Sequence, residues 1–211
     1  MKTITVTTLQ RMMIHVADEI IANESYLTEV DTVIGDGDHG IGMKRGFQAL
    51  KNMLEKTAFD TVDFLLKAVG IELVKTMGGA SGVIFGTMFI GGLNKLSPSD
   101  TISLDELAAY FDEGVSAIKR RGKAKAGEKT MLDALIPAVE SLKQSAEEQS
   151  DMQDALEKAY TMAEGGVEAS KSMKSRVGRS KNFQDATLGL PDPGAISTSL
   201  IFKALFEGVN A

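Results

Sequence analysis

Cysteine and tryptophan are absent from the 211-residue sequence, which also has only four prolines and two histidines. The lack of cysteine excludes a disulfide framework, a thiol nucleophile and a cysteine-ligated metal site, so cytoplasmic residence is the default expectation. No apolar run is long enough to span a membrane, and residues 1–6 lack the apolar segment of a secretion signal. We therefore predict a protein without membrane contact.

Basic residues are fewer than acidic ones: the sequence has 23 Lys and Arg and 29 Asp and Glu, which give a formal net charge of −6. Nucleic-acid binders usually carry a basic surface that displaces counterions, so we expect no direct nucleic-acid binding. A hydrophobic fraction of 43% without a linker rich in proline, serine or glycine predicts one globular domain over residues 1–211.

Apolar residues recur at helical spacing along most of the chain, which predicts eight helices and no convincing strand. The predicted helices cover about residues 7–27, 42–55, 61–77, 83–90 and 103–119, and further helices begin after Thr130, at Ser150 and at Asp192.

Several of these helices have recognisable starts. Residues 103–106 and 150–153 have the spacing of capping boxes, and Asp192 followed by Pro193 is typical of a helix N-terminus. The helix over residues 61–77 is apolar nearly all round, which predicts burial on several sides.

Residues 31–40 read Asp-Thr-Val-Ile-Gly-Asp-Gly-Asp-His-Gly and so hold three carboxylates and three glycines. Such carboxylates either spread into water or converge on a hard cation. At about 100° per residue, Asp31, Asp36 and Asp38 cannot share one helix face, so we predict a loop in which glycine lets them point inward together. Ligands that are all oxygen favour Mg²⁺ or Ca²⁺.

Two familiar motifs do not account for this stretch. Residues 35–40 match the dinucleotide-binding pattern G-x-G-x-x-G, but Asp36 and Asp38 would repel a pyrophosphate unless metal ions bridged the charges. A calcium loop that starts at Asp36 would require an oxygen ligand at Gly40 and a glutamate at Phe47. We interpret the first match as accidental and reject the second.

Residues 78–82, Gly-Gly-Ala-Ser-Gly, separate two predicted helices. In a structural interpretation, the glycine pair ends one helix and Ser81 caps the next. In a functional interpretation, small residues at a helix N-terminus leave backbone N–H groups open to an anion, which the helix dipole also attracts. This segment alone favours neither.

Residues 122–130 lie in the most basic run of the chain and resemble a P-loop. Glu128 interrupts the motif, however, and no predicted strand precedes it. Basic runs are usually solvated surface, although this one lies between helices, where Gly122 and neighbouring lysines can approach a phosphate. The signal is weak.

In an antiparallel array of helices, alternate turns lie at the same end. The turns after the first, third, fifth and seventh predicted helices would therefore meet, and they hold residues 31–40, 78–82, 122–130 and 176–193. Carboxylates, open N–H groups and a cation such as Arg179 would together hold Mg²⁺ and a nucleotide polyphosphate. Phosphoryl transfer fits this site, since it requires positioning and charge neutralisation more than a dedicated nucleophile, and we assign no catalytic residue.

Four separated motifs, in order along the chain, carry a family resemblance. They are Asp31-x4-Gly-Asp36-Gly-Asp38-His39-Gly40, Gly78-Gly-Ala-Ser-Gly82, Arg121-Gly-Lys-Ala with Gly127-Glu-Lys-Thr-Met131, and Gly178-Arg179 with Asp192-Pro-Gly194. Together they resemble the nucleotide-binding L subunit of dihydroxyacetone kinase. The resemblance implies an all-α, eight-helix antiparallel barrel with the nucleotide and metal site at one end.

The same resemblance assigns two Mg²⁺ ions to Asp31, Asp36 and Asp38. It also implies that ADP or ATP is bound through a larger set of residues: His39, Gly40, Ile41, Gly42, Ala80, Ser81, Gly122, Met131, Arg179, Asp192, Pro193 and Gly194. The chain departs from the family in a lid segment that reads Lys181-Asn-Phe-Gln-Asp-Ala-Thr187, without the usual tyrosine and arginine, and Gly42 stands where asparagine is common.

The family resemblance also implies partners. A separate K subunit holds the short ketose, and in the phosphotransferase-system version ADP is a bound coenzyme that a phosphohistidine M subunit rephosphorylates. In the other version free ATP is the donor. We expect a kinase subunit that is inactive alone. The alternatives are the nucleotide domain of a fatty-acid kinase, an ATP-dependent kinase subunit for another small sugar or acyl substrate, and an ADP-binding module that contacts a transcription regulator. The oligomeric state, homodimer included, stays open.

Overall fold

The computed structural model describes residues 2–210, and within them nine α-helices make up most of the fold. The helices are α1 (Val6–Ala22), α2 (Glu24–Ile34), α3 (His39–Leu54), α4 (Val62–Thr76), α5 (Gly79–Gly91), α6 (Leu104–Gly122), α7 (Leu132–Glu147), α8 (Met152–Ser170) and α9 (Pro193–Gly208). Three short 3-10 helices cover Leu93–Lys95, Ser180–Asn182 and Gln184–Thr187.

Two short strands, β1 (Thr3–Thr5) and β2 (Thr101–Ser103), form an antiparallel pair that the sequence did not predict. Ile4 lies opposite Ile102, and both side chains are buried. Strands of three residues are too short to show an alternating pattern, which is why they were missed.

Eight of the helices form a closed ring. Helix α1 packs on α3, each later helix packs on the next, and α9 returns to α1. The core of the ring is one cluster of aliphatic, methionine and phenylalanine side chains contributed by all eight helices. The predicted all-α, eight-helix barrel is confirmed, with α2 as an additional helix that packs on α3 and α9.

The ninth helix arises because the helix predicted over residues 7–27 is two helices. Helix α1 ends at Ala22, and the Asn23 side chain donates a hydrogen bond of 2.8 Å to the Glu19 carbonyl oxygen. Helix α2 then runs to Ile34, so the prediction that Asp31 lies in a loop is wrong. Leu27, Asp31 and Ile34 share the buried face of this helix, and only residues 35–38 form the loop.

Two of the predicted helix starts are correct and one is wrong. The Ser103 capping box is present, since the Glu106 N–H donates to Ser103 Oγ at 3.3 Å and the Ser103 N–H donates to Glu106 Oε2 at 2.8 Å. Asp192 caps α9 by accepting from the Ala195 N–H at 2.8 Å. The predicted box at Ser150 fails because the N-cap of α8 is Asp151, one residue later.

The prediction that the third helix is buried on several sides is wrong for its outer face. Phe64, Ile71 and Val74 of α4 are 56%, 36% and 42% exposed. A helix in a closed ring buries one face in the core and its flanks against neighbours, so its fourth side meets solvent even when that side is apolar. Within residues 2–210, no helix combines the length and the hydropathy needed to cross a membrane.

Candidate functional site

A cavity of about 420 Å³ opens at one end of the barrel, where four connections between helices meet. These are the α2–α3, α4–α5, α6–α7 and α8–α9 connections, which correspond to the four turns predicted to lie together. Its walls include Asp31, Asp36, Asp38, His39, Ile41, Gly42, Gly78, Gly79, Ala80, Ser81, Met131, Gly178, Arg179, Asp192, Pro193 and Gly194.

The α2–α3 connection brings three carboxylates together. Asp31, Asp36 and Asp38 each offer an oxygen atom, and these three atoms lie within 4.8 Å of one another. Asp31 is buried, and its Oδ2 accepts a hydrogen bond of 3.1 Å from the His39 N–H. A set of converging carboxylate oxygens is the donor set that a hard divalent cation prefers.

Glycine is required at two positions of this connection. A Cβ atom at Gly35 would overlap the Asp31 carboxylate. Gly37 has φ +74°, and a Cβ there would lie 2.8 Å from Thr32 Oγ1. Without these glycines the chain could not turn tightly enough to place Asp36 and Asp38 beside Asp31.

The Arg179 guanidinium lies on the carboxylate cluster. It forms an ion pair with Asp36, and its Nη2 lies 3.6 Å from Asp38 Oδ2. The side chain of Arg179 is 66% exposed, so the pair spans the mouth of the cavity. A positive group beside these oxygens shows that the cluster attracts positive charge, and the three converging carboxylate oxygens are a donor set that fits Mg²⁺. Arg179, which the family resemblance assigns to the nucleotide, lines the cavity and contacts the carboxylates.

His39 begins α3 and connects three helices. Its Nε2 lies 2.8 Å from Ser197 Oγ in α9, and its Nδ1 lies 3.4 Å from Ser81 Oγ in α5. Burial lowers the pKa of this histidine, which Asp31 opposes, so the neutral imidazole is favoured. Ser197 was missed, although three successive hydroxyl residues, 197–199, in an otherwise apolar helix were a usable signal.

The N-terminus of α5 faces the cavity. Gly78 (φ +74°) is the N-cap and Gly79 (φ +61°) is the first helical residue, so the structural interpretation, in which Ser81 caps this helix, is wrong. In the described part of the chain, no side chain caps α5, which leaves first-turn N–H groups available to an anion. Arg45, also missed, donates to the carbonyl oxygens of Thr76 (2.8 Å) and Met77 and so holds the end of α4.

Buried ionisable side chains, Asp192 and Lys129, lie on the opposite wall of the cavity. Asp192 is 7% exposed, and burial, with a further contribution from Asp133, raises its pKa to about 7. Asp133 accepts hydrogen bonds from the N–H groups of Gly127 (2.5 Å) and Thr130 (2.7 Å). Lys129, the lysine of the P-loop-like motif, is fully buried here rather than solvated.

Two of the predicted site residues do not line the cavity. At Gly40 a Cβ would overlap the Glu24 carbonyl oxygen and Thr28, so this glycine permits close packing of α3 on α2. Gly122 is the last residue of α6, and a Cβ there would touch the Ile84 side chain at 3.4 Å. The other predicted residues lie on the cavity wall, and their assignment to metal or nucleotide stays a prediction.

Comparison with known proteins extends over nearly the whole chain. Residues 33–207 match the family profile of the DAK2 domain. The chain is 39% identical over 188 residues to the ADP-binding subunit DhaL of the PEP-dependent dihydroxyacetone kinase of Escherichia coli K12, covering 89% of this chain and 90% of that protein. It is 32% identical over 193 residues to human triokinase/FMN cyclase, covering 91% of this chain but 33% of that protein.

A solved structure has the same fold. The crystal structure of the dihydroxyacetone kinase from C. freundii, in complex with AMP-PNP and Mg²⁺, superposes with a TM-score of 0.78 and 25% identity. The superposition covers 98% of this chain and 35% of that chain. Since sequence and fold agree over nearly its full length, this chain belongs to the DAK2 domain family and, within it, to the L-subunit (DhaL) family of dihydroxyacetone kinases.

Proposed function

We propose that this protein is the nucleotide-binding subunit of a dihydroxyacetone kinase. It transfers a phosphoryl group from Mg²⁺-bound nucleotide to dihydroxyacetone, or a similar short ketose, held on a separate K subunit. The observation that carries the proposal is the meeting of three carboxylates, the open N-terminus of α5 and Arg179 at one cavity. The proposal is also supported by the relative described as an ADP-binding subunit and by the AMP-PNP and Mg²⁺ of the C. freundii structure.

In this proposal Asp31, Asp36 and Asp38 hold two Mg²⁺ ions, which supply neutralising charge to the phosphate oxygens. First-turn N–H groups of α5, at Ala80 and Ser81, donate to the polyphosphate. Neutral His39 orients Ser81 through its ring nitrogen.

The opposite wall completes the nucleotide pocket. Met131, Pro193 and Gly194 contact the nucleotide, with Ile41 and Gly42 on the side of α3. A Cβ at Gly194 would lie 3.3 Å from that of Met131, so the two segments are already in close contact. We further propose that the chain is a single domain, which is supported by one hydrophobic cluster that extends from α1 to α9.

The K subunit supplies the ketose, and a phosphohistidine M subunit rephosphorylates ADP that stays bound. Support for this version comes from the identities of the relatives: the chain is 39% identical to the E. coli PEP-dependent subunit and 32% identical to the human enzyme. The subunit is then inactive without its partners.

Two measurements test the proposal. Native mass spectrometry of gently purified protein should detect bound ADP, whereas a site that exchanges ATP freely would favour ATP as direct donor. Calorimetry should detect ADP binding that depends on Mg²⁺. If neither nucleotide binds with Mg²⁺ present, the proposal is wrong.

A further inference from the structure

Lys129 has two unusual properties for a lysine. It lies between α6 and α7 with φ +59°, in the left-handed region that side-chain-bearing residues rarely adopt. Its side chain is only 1% exposed, although lysine is almost never fully buried unless it has partners. Specific interactions must therefore compensate both the backbone conformation and the burial of the charge.

The partners of the Lys129 ammonium are three backbone carbonyl oxygens. It donates to Ser170 at 2.7 Å, to Met173 at 3.3 Å and to Leu190. An ammonium group has three N–H donors, so these bonds use all of them. The lysine of the P-loop-like motif therefore directs its charge into the protein rather than toward a phosphate.

The three carbonyls mark both ends of one segment, residues 171–191, which connects α8 to α9 and carries Arg179. Ser170 is the last residue of α8, where helix carbonyls lack intrahelical partners and carry partial negative charge. Backbone bonds support the same closure: the Gly189 N–H donates to the Lys171 carbonyl at 2.8 Å. Lys129 thus joins the beginning of the segment to its end.

The segment is also attached to the turn that contains Lys129. The Arg176 N–H donates to the Glu128 carbonyl oxygen at 3.1 Å. Asp133, and Asp192 in its ionised form, supply nearby negative charge that stabilises the ammonium against the penalty of burial. Removing the ammonium would leave buried carbonyls and carboxylates without their cation.

We propose that Lys129 is a positioning residue of the nucleotide site. Its ammonium closes the 171–191 segment, and this closure holds Arg179 over Asp36. The inference rests on the proposed function, because the site that Lys129 positions is the proposed nucleotide site.

The test compares Lys129→Met with Lys125→Met, an exposed lysine of the same basic run. In the ligand-free protein, hydrogen exchange of residues 171–191 should accelerate more than about tenfold in Lys129→Met, while amides of α3 and α5 stay within about twofold. The Kd for ADP with Mg²⁺ should rise about tenfold, which corresponds to about 1.4 kcal/mol. Lys125→Met should leave both unchanged.

A double-mutant cycle separates positioning from a general loss of stability. If Lys129 acts through Arg179, Lys129→Met should weaken Mg²⁺-ADP binding less than about threefold in an Arg179→Ala background. Additive effects, or unchanged exchange in residues 171–191, would overturn the inference. If Lys129→Met does not fold, Lys129→Arg keeps the buried charge and should show intermediate exchange. A wild-type protein that binds no nucleotide would refute the proposed function, and the exchange result would still decide whether Lys129 closes the segment.

Discussion

Two walls of the cavity are built in opposite ways. The α2–α3 connection is a short loop, residues 35–38, whose shape is set by its own glycines and by Asp31 one turn earlier. The α8–α9 connection is long, and Lys129 fixes it through acceptors that lie 41 to 61 residues away along the chain. We therefore expect changes in the acidic wall to alter ligand binding alone, and changes in the long wall to alter binding and folding together.

Asp36→Ala should have the largest effect on nucleotide binding, and destabilisation of the fold by this variant would show that the acidic wall also supports folding. We expect Mg²⁺-dependent ADP binding to weaken more than about a hundredfold, since even outer-shell partners of a metal are worth about 10- to 100-fold. The unfolding free energy should change by less than about 0.5 kcal/mol, because the like charges that crowd the loop are reduced. Calorimetry and urea unfolding measure the two quantities. Asp60→Ala, at another exposed loop aspartate, is the control, and an unchanged ADP affinity would disprove the metal assignment.

Asp192, in the long wall, should make the stability of the protein depend on pH. Burial raises the pKa of Asp192 from 3.8 to about 7, so its protonated form stabilises the folded state. This stabilisation is complete below pH 3.8 and is lost as the pH rises through about 7. At about 1.4 kcal/mol per pKa unit, the unfolding free energy should fall by on the order of 3 to 4 kcal/mol over this range.

Urea unfolding across that pH range measures the effect. Asp192→Asn keeps a side-chain oxygen that can cap α9 and should remove the slope. An equal slope in Asp192→Asn would show that other groups cause it.

Gly35→Ala tests whether the acidic wall depends on local geometry. A methyl group there overlaps the Asp31 carboxylate, so we expect the Kd for Mg²⁺-ADP to rise about tenfold through displacement of that ligand. Gly165→Ala is a matched control, because a Cβ at Gly165 meets nothing within 4 Å and should stabilise α8 by about 0.5 to 1 kcal/mol. Equal binding by both variants would contradict the prediction.

Ser197→Ala should have the smallest effect, because Ser197 supports the site from the barrel core. Loss of its hydrogen bond to buried His39 should lower the unfolding free energy by about 1 kcal/mol. Ser25→Ala, at an exposed helical serine, should change it by less than about 0.5 kcal/mol. Thermal or urea unfolding provides the measurement, and equal stability of the two variants would refute the role of this bond.

The contrast between a wall set by neighbouring residues and a wall fixed by distant contacts also explains which features the sequence could predict. The convergence of Asp31, Asp36 and Asp38, and the cap at Asp192, follow from residues a few positions apart, and both were predicted. The break at Asn23 was not, because the apolar period runs on through Ile20 and Leu27 as though one helix continued.

Contacts between residues far apart along the chain could not be predicted from local sequence patterns. The bonds of Lys129 and the pairing of His39 with Ser197 join positions 41 or more residues apart. Local propensity carries no information on such pairs. In a basic run, the sequence does not distinguish a buried lysine from an exposed one.

The ion pair between Arg179 and Asp36 spans the mouth of the cavity from one wall to the other. Opening the mouth therefore requires that this pair separate, and because Arg179 is largely solvent-exposed, dissolved ions weaken the attraction. The dwell time of a bound nucleotide would consequently shorten as ionic strength rises.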